Sequence, residues 1–113
     1  MSALTTHVLD TSRGRPAAGV AVVVEKSHGK NDWKEVSRGV TNADGRVPTL
    51  MSGVVLEKGS YRLLFDVAAY FRTTNTKSFY ATISIHLEID DPLQHYHAPL
   101  LLSPFGYSTY RGS

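Results

Sequence analysis

Ala81-Thr-Ile-Ser-Ile-His-Leu-Glu-Ile89 alternates apolar and polar residues along its whole length. In an extended strand Ile83, Ile85, Leu87 and Ile89 point to one face, and Thr82, Ser84, His86 and Glu88 to the other. Asp90-Asp-Pro92 ends the run. On its N-terminal side residues 68–74, low in β-branched residues until their end, form the one plausible helix. Residues 60–67 read as a further strand, preceded by a turn at Glu57-Lys-Gly59. Residues 46–51 read as a short strand whose Pro48 suits an edge. Asn42-Ala-Asp-Gly45 is a tight turn, because Asp-Gly readily takes positive φ. Residues 33–41, with Gly39 as a candidate bulge, residues 20–25 and residues 4–10 supply three more strands. A polar loop at 27–32 and the turn residues of 12–16 separate them. On the C-terminal side one strand runs from His95 to Ser103, Gly106 permits a turn, and an aromatic-rich strand continues to Ser113. About eight short strands at roughly 10–15-residue spacing make an antiparallel β-sandwich the expected fold.

The 113 residues are expected to form one domain over 1–113, since a chain of ~110 residues buries roughly two-thirds of its unfolded surface. With 42% hydrophobic and 19% charged residues the composition is that of an ordinary globular protein. The formal charge of +2 comes without any Lys/Arg run, so no nucleic-acid partner is expected. There is no cysteine, which removes disulfides, thiol nucleophiles and thiolate metal sites together and suits a reducing compartment. His7 and Asp10 interrupt the only candidate for a signal-peptide core, and no run approaches a membrane span. The cytosol is the expected location, with no membrane partner.

The C-terminal strands carry the unusual feature. Alternation puts Tyr96, Ala98, Leu100 and Leu102 on one face, the expected core face. His95, His97, Pro99 and Leu101 lie on the other. Ser108, Tyr110 and Gly112 share a face of the last strand, and Thr5, His7 and Leu9 share a face of the first. Outward faces bearing His, Pro, Leu and Tyr in place of Lys, Glu and Thr need a cover, most simply a second copy of the chain. Pro99 can donate no ladder hydrogen bond, so a bulge or an unpaired position is expected there.

These residues carry a resemblance. Leu4-Thr-Thr-His-Val-Leu-Asp-Thr11, Gly14-Arg-Pro-Ala17, Thr41-Asn-Ala-Asp-Gly-Arg46, His95-Tyr-His-Ala-Pro-Leu-Leu-Leu-Ser-Pro104 and Tyr107-Ser-Thr-Tyr-Arg-Gly-Ser113 make the chain similar to the 5-hydroxyisourate hydrolases, the enzyme branch of the transthyretin-like family. The final Tyr110-Arg-Gly-Ser113 is the most specific of these marks. The resemblance implies a transthyretin-like sandwich of two four-stranded Greek-key sheets and a homotetramer built as a dimer of dimers. It implies no cofactor. It also implies hydrolytic opening of the six-membered ring of 5-hydroxyisourate in urate breakdown. His7, Arg46, His97 and Ser113 match the family's catalytic residues. Tyr110 matches a substrate-contacting tyrosine, with His7 and Arg46 also binding substrate.

Taken singly, each of the five has an ordinary reading: a surface histidine, a solvated loop cation, a polar interface residue, a packing tyrosine, a frayed end. Together they fit amide hydrolysis. That reaction needs a base for water, a cation for the developing oxyanion, and groups that hold the ring. Imidazoles titrate near neutrality, and a guanidinium offers a planar fork to ring oxygens. His28 and His86 read as surface residues, and His95 as auxiliary to His97. A zinc site built from His7, His95 and His97 is the lesser reading, because no Asp or Glu accompanies them to orient the rings. The rival function is a carrier binding a small hydrophobic ligand in a channel between dimers. The resemblance weighs against it, because transthyretins lack the His/Arg/His set and the terminal Tyr-Arg-Gly-Ser.

Overall fold

The computed structural model describes residues 3–113. Its strands are β1 (Leu4–Asp10), β2 (Arg15–Pro16), β3 (Ala21–Ser27), β4 (Trp33–Val40), β5 (Gly59–Asp66), β6 (Thr82–Ile89), β7 (Tyr96–Ser103) and β8 (Gly106–Thr109), with one helix, α1 (Val67–Thr73), between β5 and β6. They form two four-stranded sheets, β2-β1-β7-β8 and β4-β3-β5-β6. The two four-stranded sheets and the one short helix that the resemblance implies are therefore present.

Alternation explains the core. β1 buries Leu4, Thr6, Val8 and Asp10 and leaves Thr5, His7 and Leu9 half-buried on the outside. β5 buries Tyr61, Leu63 and Phe65, and β6 buries Ile83, Ile85 and Ile89. β7 contributes Tyr96, Ala98, Leu100 and Leu102. Leu87, on the same face of β6, is only half-buried, on a strand at the sheet edge. Fully burying a side chain such as Leu63 or Phe65 contributes about 1.5–3 kcal/mol. The helix buries Val67, Tyr70 and Phe71 on one stripe, and the Asp66 carboxylate caps it by accepting from the Ala69 N–H at 3.1 Å. The Tyr70 hydroxyl donates to the buried Asp10 carboxylate at 2.6 Å, tying the helix to β1 across the core.

Four expectations require correction. The β1–β7 ladder is parallel, in the register Thr5↔His97 and His7↔Pro99, whereas the other pairs are antiparallel. Residues 46–51 are not a strand: Arg46 makes one isolated bridge to His7, and turns follow. The ring of Pro48 and its missing N–H are incompatible with a continued ladder there. The bulge lies at Val36, skipped where Val24 pairs with Ser37 and Glu25 with Glu35, and Gly39 pairs regularly with Val22. The last strand ends at Thr109 rather than Ser113, and pairing resumes only at an isolated His97↔Gly112 bridge.

Pro99 accounts for that gap. The Gly112 N–H donates to the His97 carbonyl at 2.8 Å, so the odd positions of β7 turn their backbone groups toward β8. Pro99 has no N–H to offer on that side. Its carbonyl is instead satisfied by the Thr109 hydroxyl at 2.7 Å. The unpaired position foreseen from the sequence is thus a real interruption of the β7–β8 ladder.

Candidate active site

Three segments converge on the outer face of the β2-β1-β7-β8 sheet. The first is β1, which presents Thr5 and His7. The second is the 42–46 turn. Asn42 closes it, its side-chain oxygen accepting from the Asp44 N–H at 2.9 Å and the Arg46 N–H at 3.1 Å. The turn docks on β1 through the Val8 N–H to Gly45 carbonyl bond at 2.8 Å. Gly45 has φ of +76°, and a Cβ there would lie 2.3 Å from the Val8 carbonyl oxygen, so only glycine lets the turn come this close. The result is Arg46 bridged to His7.

The third segment is β7 with the end of the chain. His97 lies in register with Thr5, and its Nδ1 is 2.7 Å from the Thr5 hydroxyl oxygen. The same oxygen is 3.0 Å from His95 Nε2, and the two imidazoles are nearly parallel, at 16° with centroids 6.4 Å apart. Gly112 packs against the His97 ring, where a Cβ would lie 2.5 Å from Cδ2. Arg111 holds this segment down. Its guanidinium stacks over the Tyr96 ring at 4.4 Å and donates to Gln94 Oε1 at 3.0 Å.

With Nδ1 engaged by Thr5, Nε2 is the His97 nitrogen left for chemistry. Burial pushes the His97 pKa below the ordinary imidazole value of 6.5, and the positive fields of Arg46, His95 and His7 push the same way. A hydrogen bond to the Thr5 backbone works in the opposite direction without reversing the shift. A lowered pKa favours the neutral imidazole, the form a general base requires.

Of the residues singled out from the sequence, His7, Arg46 and His97 come together. Tyr110 is 57% exposed. Because β8 stops at Thr109, alternation no longer fixes Tyr110, which instead lines a hollow of about 240 Å³ with His97, Tyr96, Leu87 and Arg111. Ser113 is exposed and directly follows Gly112. His28 and His86 are exposed, as expected, and His86 sits edge-on to Trp33 in the other sheet. Among the described residues no group of three or more His, Cys, Asp or Glu is arranged to hold a metal ion. His95 and His97 both turn a nitrogen to the Thr5 hydroxyl. Thr5 is the residue the sequence reading passed over: alternation put it on the face of His7, but only the parallel register sets it against His97.

A sequence model of the HIUase/Transthyretin family matches residues 4–112. The protein named 5-hydroxyisourate hydrolase 2 from Rhizobium meliloti is 47% identical over 116 residues, covering 97% of this chain and 95% of its own. The structure of 5-hydroxyisourate hydrolase from Klebsiella pneumoniae matches with a TM-score of 0.84 at 38% identity, covering 100% of this chain and 94% of that one. The structure of sea bream transthyretin in complex with thyroxine matches with a TM-score of 0.91 at 31% identity, covering 98% and 95%.

Proposed function

The chain belongs to the HIUase/Transthyretin family, and from that premise we propose that it hydrolyses 5-hydroxyisourate, opening the six-membered ring to give 2-oxo-4-hydroxy-4-carboxy-5-ureidoimidazoline. The observation that carries this reading is the convergence of His97, His7 and Arg46 on one sheet face. His97 Nε2 takes a proton from water as the water oxygen attacks an amide carbonyl of the ring. His7 orients that water as the second imidazole. Arg46 binds the ring oxygens and stabilises the oxyanion as the carbonyl becomes tetrahedral. The C–N bond then breaks as the ring nitrogen takes the remaining hydroxyl proton of the tetrahedral intermediate, leaving a carboxylate. Tyr110 packs against the substrate, and the Ser113 hydroxyl completes the hydrogen-bonding set.

The fold by itself does not separate hydrolase from carrier, because the thyroxine-bound sea bream protein has the same architecture. The residue set does, since a carrier has no use for a base of lowered pKa beside a guanidinium. Absorbance decay of freshly made 5-hydroxyisourate tests the reading against the unaided decay rate. Acceleration proportional to protein supports it, whereas thyroxine binding without acceleration would make the chain a carrier.

The working form we propose is a cytosolic homotetramer. β6 and β8 are edge strands, their residues Leu87 and Thr109 line one hollow, and both offer ladders for dimer formation. The His97, Leu101 and Tyr110 surfaces would then pack two dimers together around the cleft.

Arg46 gives a prediction with a definite sign. Its charge helps lower the His97 pKa, so the acid limb of kcat/KM lies below 6.5 in the native enzyme. In Arg46→Gln the limb moves up toward 6.5 but stays below it, because burial still acts, and kcat/KM falls as well. A rate–pH profile of the two proteins checks this, and an unmoved limb would dissociate Arg46 from the base.

A further inference from the structure

Ring opening of a cyclic amide yields a carboxylic acid that ionises at neutral pH, so each turnover leaves one proton that has to depart. We infer that Thr5 and His95 form a proton exit that carries it from His97 to solvent: His97 Nδ1 and His95 Nε2 lie 2.7 and 3.0 Å from the one Thr5 Oγ1 atom. This rests on the reading of His97 as the base.

A hydroxyl has one hydrogen. Between two imidazole nitrogens it accepts from one and donates to the other. In the resting arrangement His97 carries its proton on Nδ1 and donates it to Thr5, which leaves Nε2 bare and facing substrate. Thr5 in turn donates to His95 Nε2, and His95 carries its proton on Nδ1. When water gives a proton to His97 Nε2, the Nδ1 proton passes to the Thr5 oxygen. The Thr5 hydrogen passes to His95 Nε2. His95 is exposed and sheds its Nδ1 proton to bulk water. Each residue along the path gains one proton and loses one, so His97 is not left as an imidazolium. Both imidazoles end in the opposite tautomer and return to the resting one by proton exchange with water once the product has left.

That outcome matters where His97 sits. Arg46 and His7 act on it from β1 and the adjoining turn, and His95 from its own segment, so a lasting positive charge on His97 is opposed from every side. His95 shares the stack but opens to water, where an imidazolium is readily solvated. Thr5 is a positioning residue in this scheme, acting through His97 rather than on substrate.

The test compares Thr5→Val, Thr5→Ser, His95→Phe and the Thr5→Val/His95→Phe double variant. Valine matches threonine in shape without the hydroxyl, and phenylalanine keeps the ring stack without a nitrogen. Each single change lowers kcat about tenfold with KM nearly unchanged, a smaller loss than the 10²–10⁴-fold of removing a base outright. Thr5→Ser recovers most of the Thr5→Val loss, and the double variant is no slower than either single one. Thr5→Val within twofold of the native kcat, Thr5→Ser as slow as Thr5→Val, or multiplying losses in the double variant would each overturn the relay. A readout independent of turnover is the imidazole ¹⁵N spectrum of the full chain. It shows His97 protonated on Nδ1 and bare at Nε2 in the native protein, and a tautomer mixture in Thr5→Val. Native His97 protonated on Nε2 overturns the relay even if hydrolysis is normal. Absence of hydrolysis by the native protein, with the expected tautomer, counts against the enzymatic reading alone.

Discussion

Replacing His97 with Gln lowers kcat on 5-hydroxyisourate about 10²- to 10⁴-fold, the range for loss of a positioned general base. The substitution is chosen to leave the surroundings standing. Gly112 is held by the His97 carbonyl, a backbone group that every residue at this position retains. A glutamine amide can still meet the Thr5 hydroxyl, but it cannot take a proton from water near neutrality. The loss should therefore appear in kcat with the thermal midpoint within a few degrees of native. A His97→Gln protein within tenfold of native kcat would move the base to His7, whose own replacement would then carry the larger loss.

Asp10→Ala destabilises the fold by about 3–5 kcal/mol, the largest single-residue stability effect expected outside the apolar core. The Asp10 carboxylate is 1% exposed and accepts from the Tyr70 hydroxyl, the Ser12 hydroxyl and the Ser12 and Arg13 N–H groups. Alanine leaves these donors facing a void. Tyr70→Phe loses one of the bonds and costs about 1.5–3 kcal/mol. Denaturant unfolding of the two variants gives both numbers, and equal costs would show that the turn donors contribute nothing.

The pH dependence of this cluster follows. Burial alone would raise the Asp10 pKa, but hydrogen bonds from Ser12, Tyr70 and the Arg13 backbone outweigh it and hold the pKa below 3.8. A carboxyl with a lowered folded pKa contributes stability above the unfolded value and loses it as pH falls through the folded one. Tyr70 behaves oppositely. Burial and the neighbouring Asp10 carboxylate push it up to about 12 from 10.0, so its contribution is lost as pH rises across that interval. The Asp10–Tyr70 bond thus opposes unfolding between these limits and weakens at both.

Much of the sandwich was legible because β-strands announce their faces. The alternation of residues 96–103 assigned Tyr96, Ala98, Leu100 and Leu102 to the core, and that of residues 82–89 gave the shared face of Ile83, Ile85 and Ile89, which the structure buries. Illegible were the features that depend on which strands meet. Nothing local tells β1 that its partner is a parallel strand near the other end of the sequence, and so nothing local gives Thr5 a partner 92 positions away. Pro48 and Pro99 were recognisable as ladder breakers, but whether each ended a strand or interrupted one depended on the neighbour across the gap. The candidate site residues had a different source: the resemblance supplied them as a set, of which the structure brings His7, Arg46 and His97 together. Alternation could not place Tyr110, because β8 stops at Thr109.

The parallel ladder between β1 and β7 also bears on biosynthesis. Thr5 and His7 leave the ribosome early, and their partners in β7 only after nearly all the intervening chain. Until then β1 can pair with β2 alone, and its other edge, with Val8 and Leu4 unsheltered, stays open to neighbouring nascent chains. The same stitch that assembles the cleft completes the sheet. Production of folded chain should therefore depend on the last residues to emerge, and a ribosome stalled before β7 would hold a sticky half-sheet rather than a smaller domain.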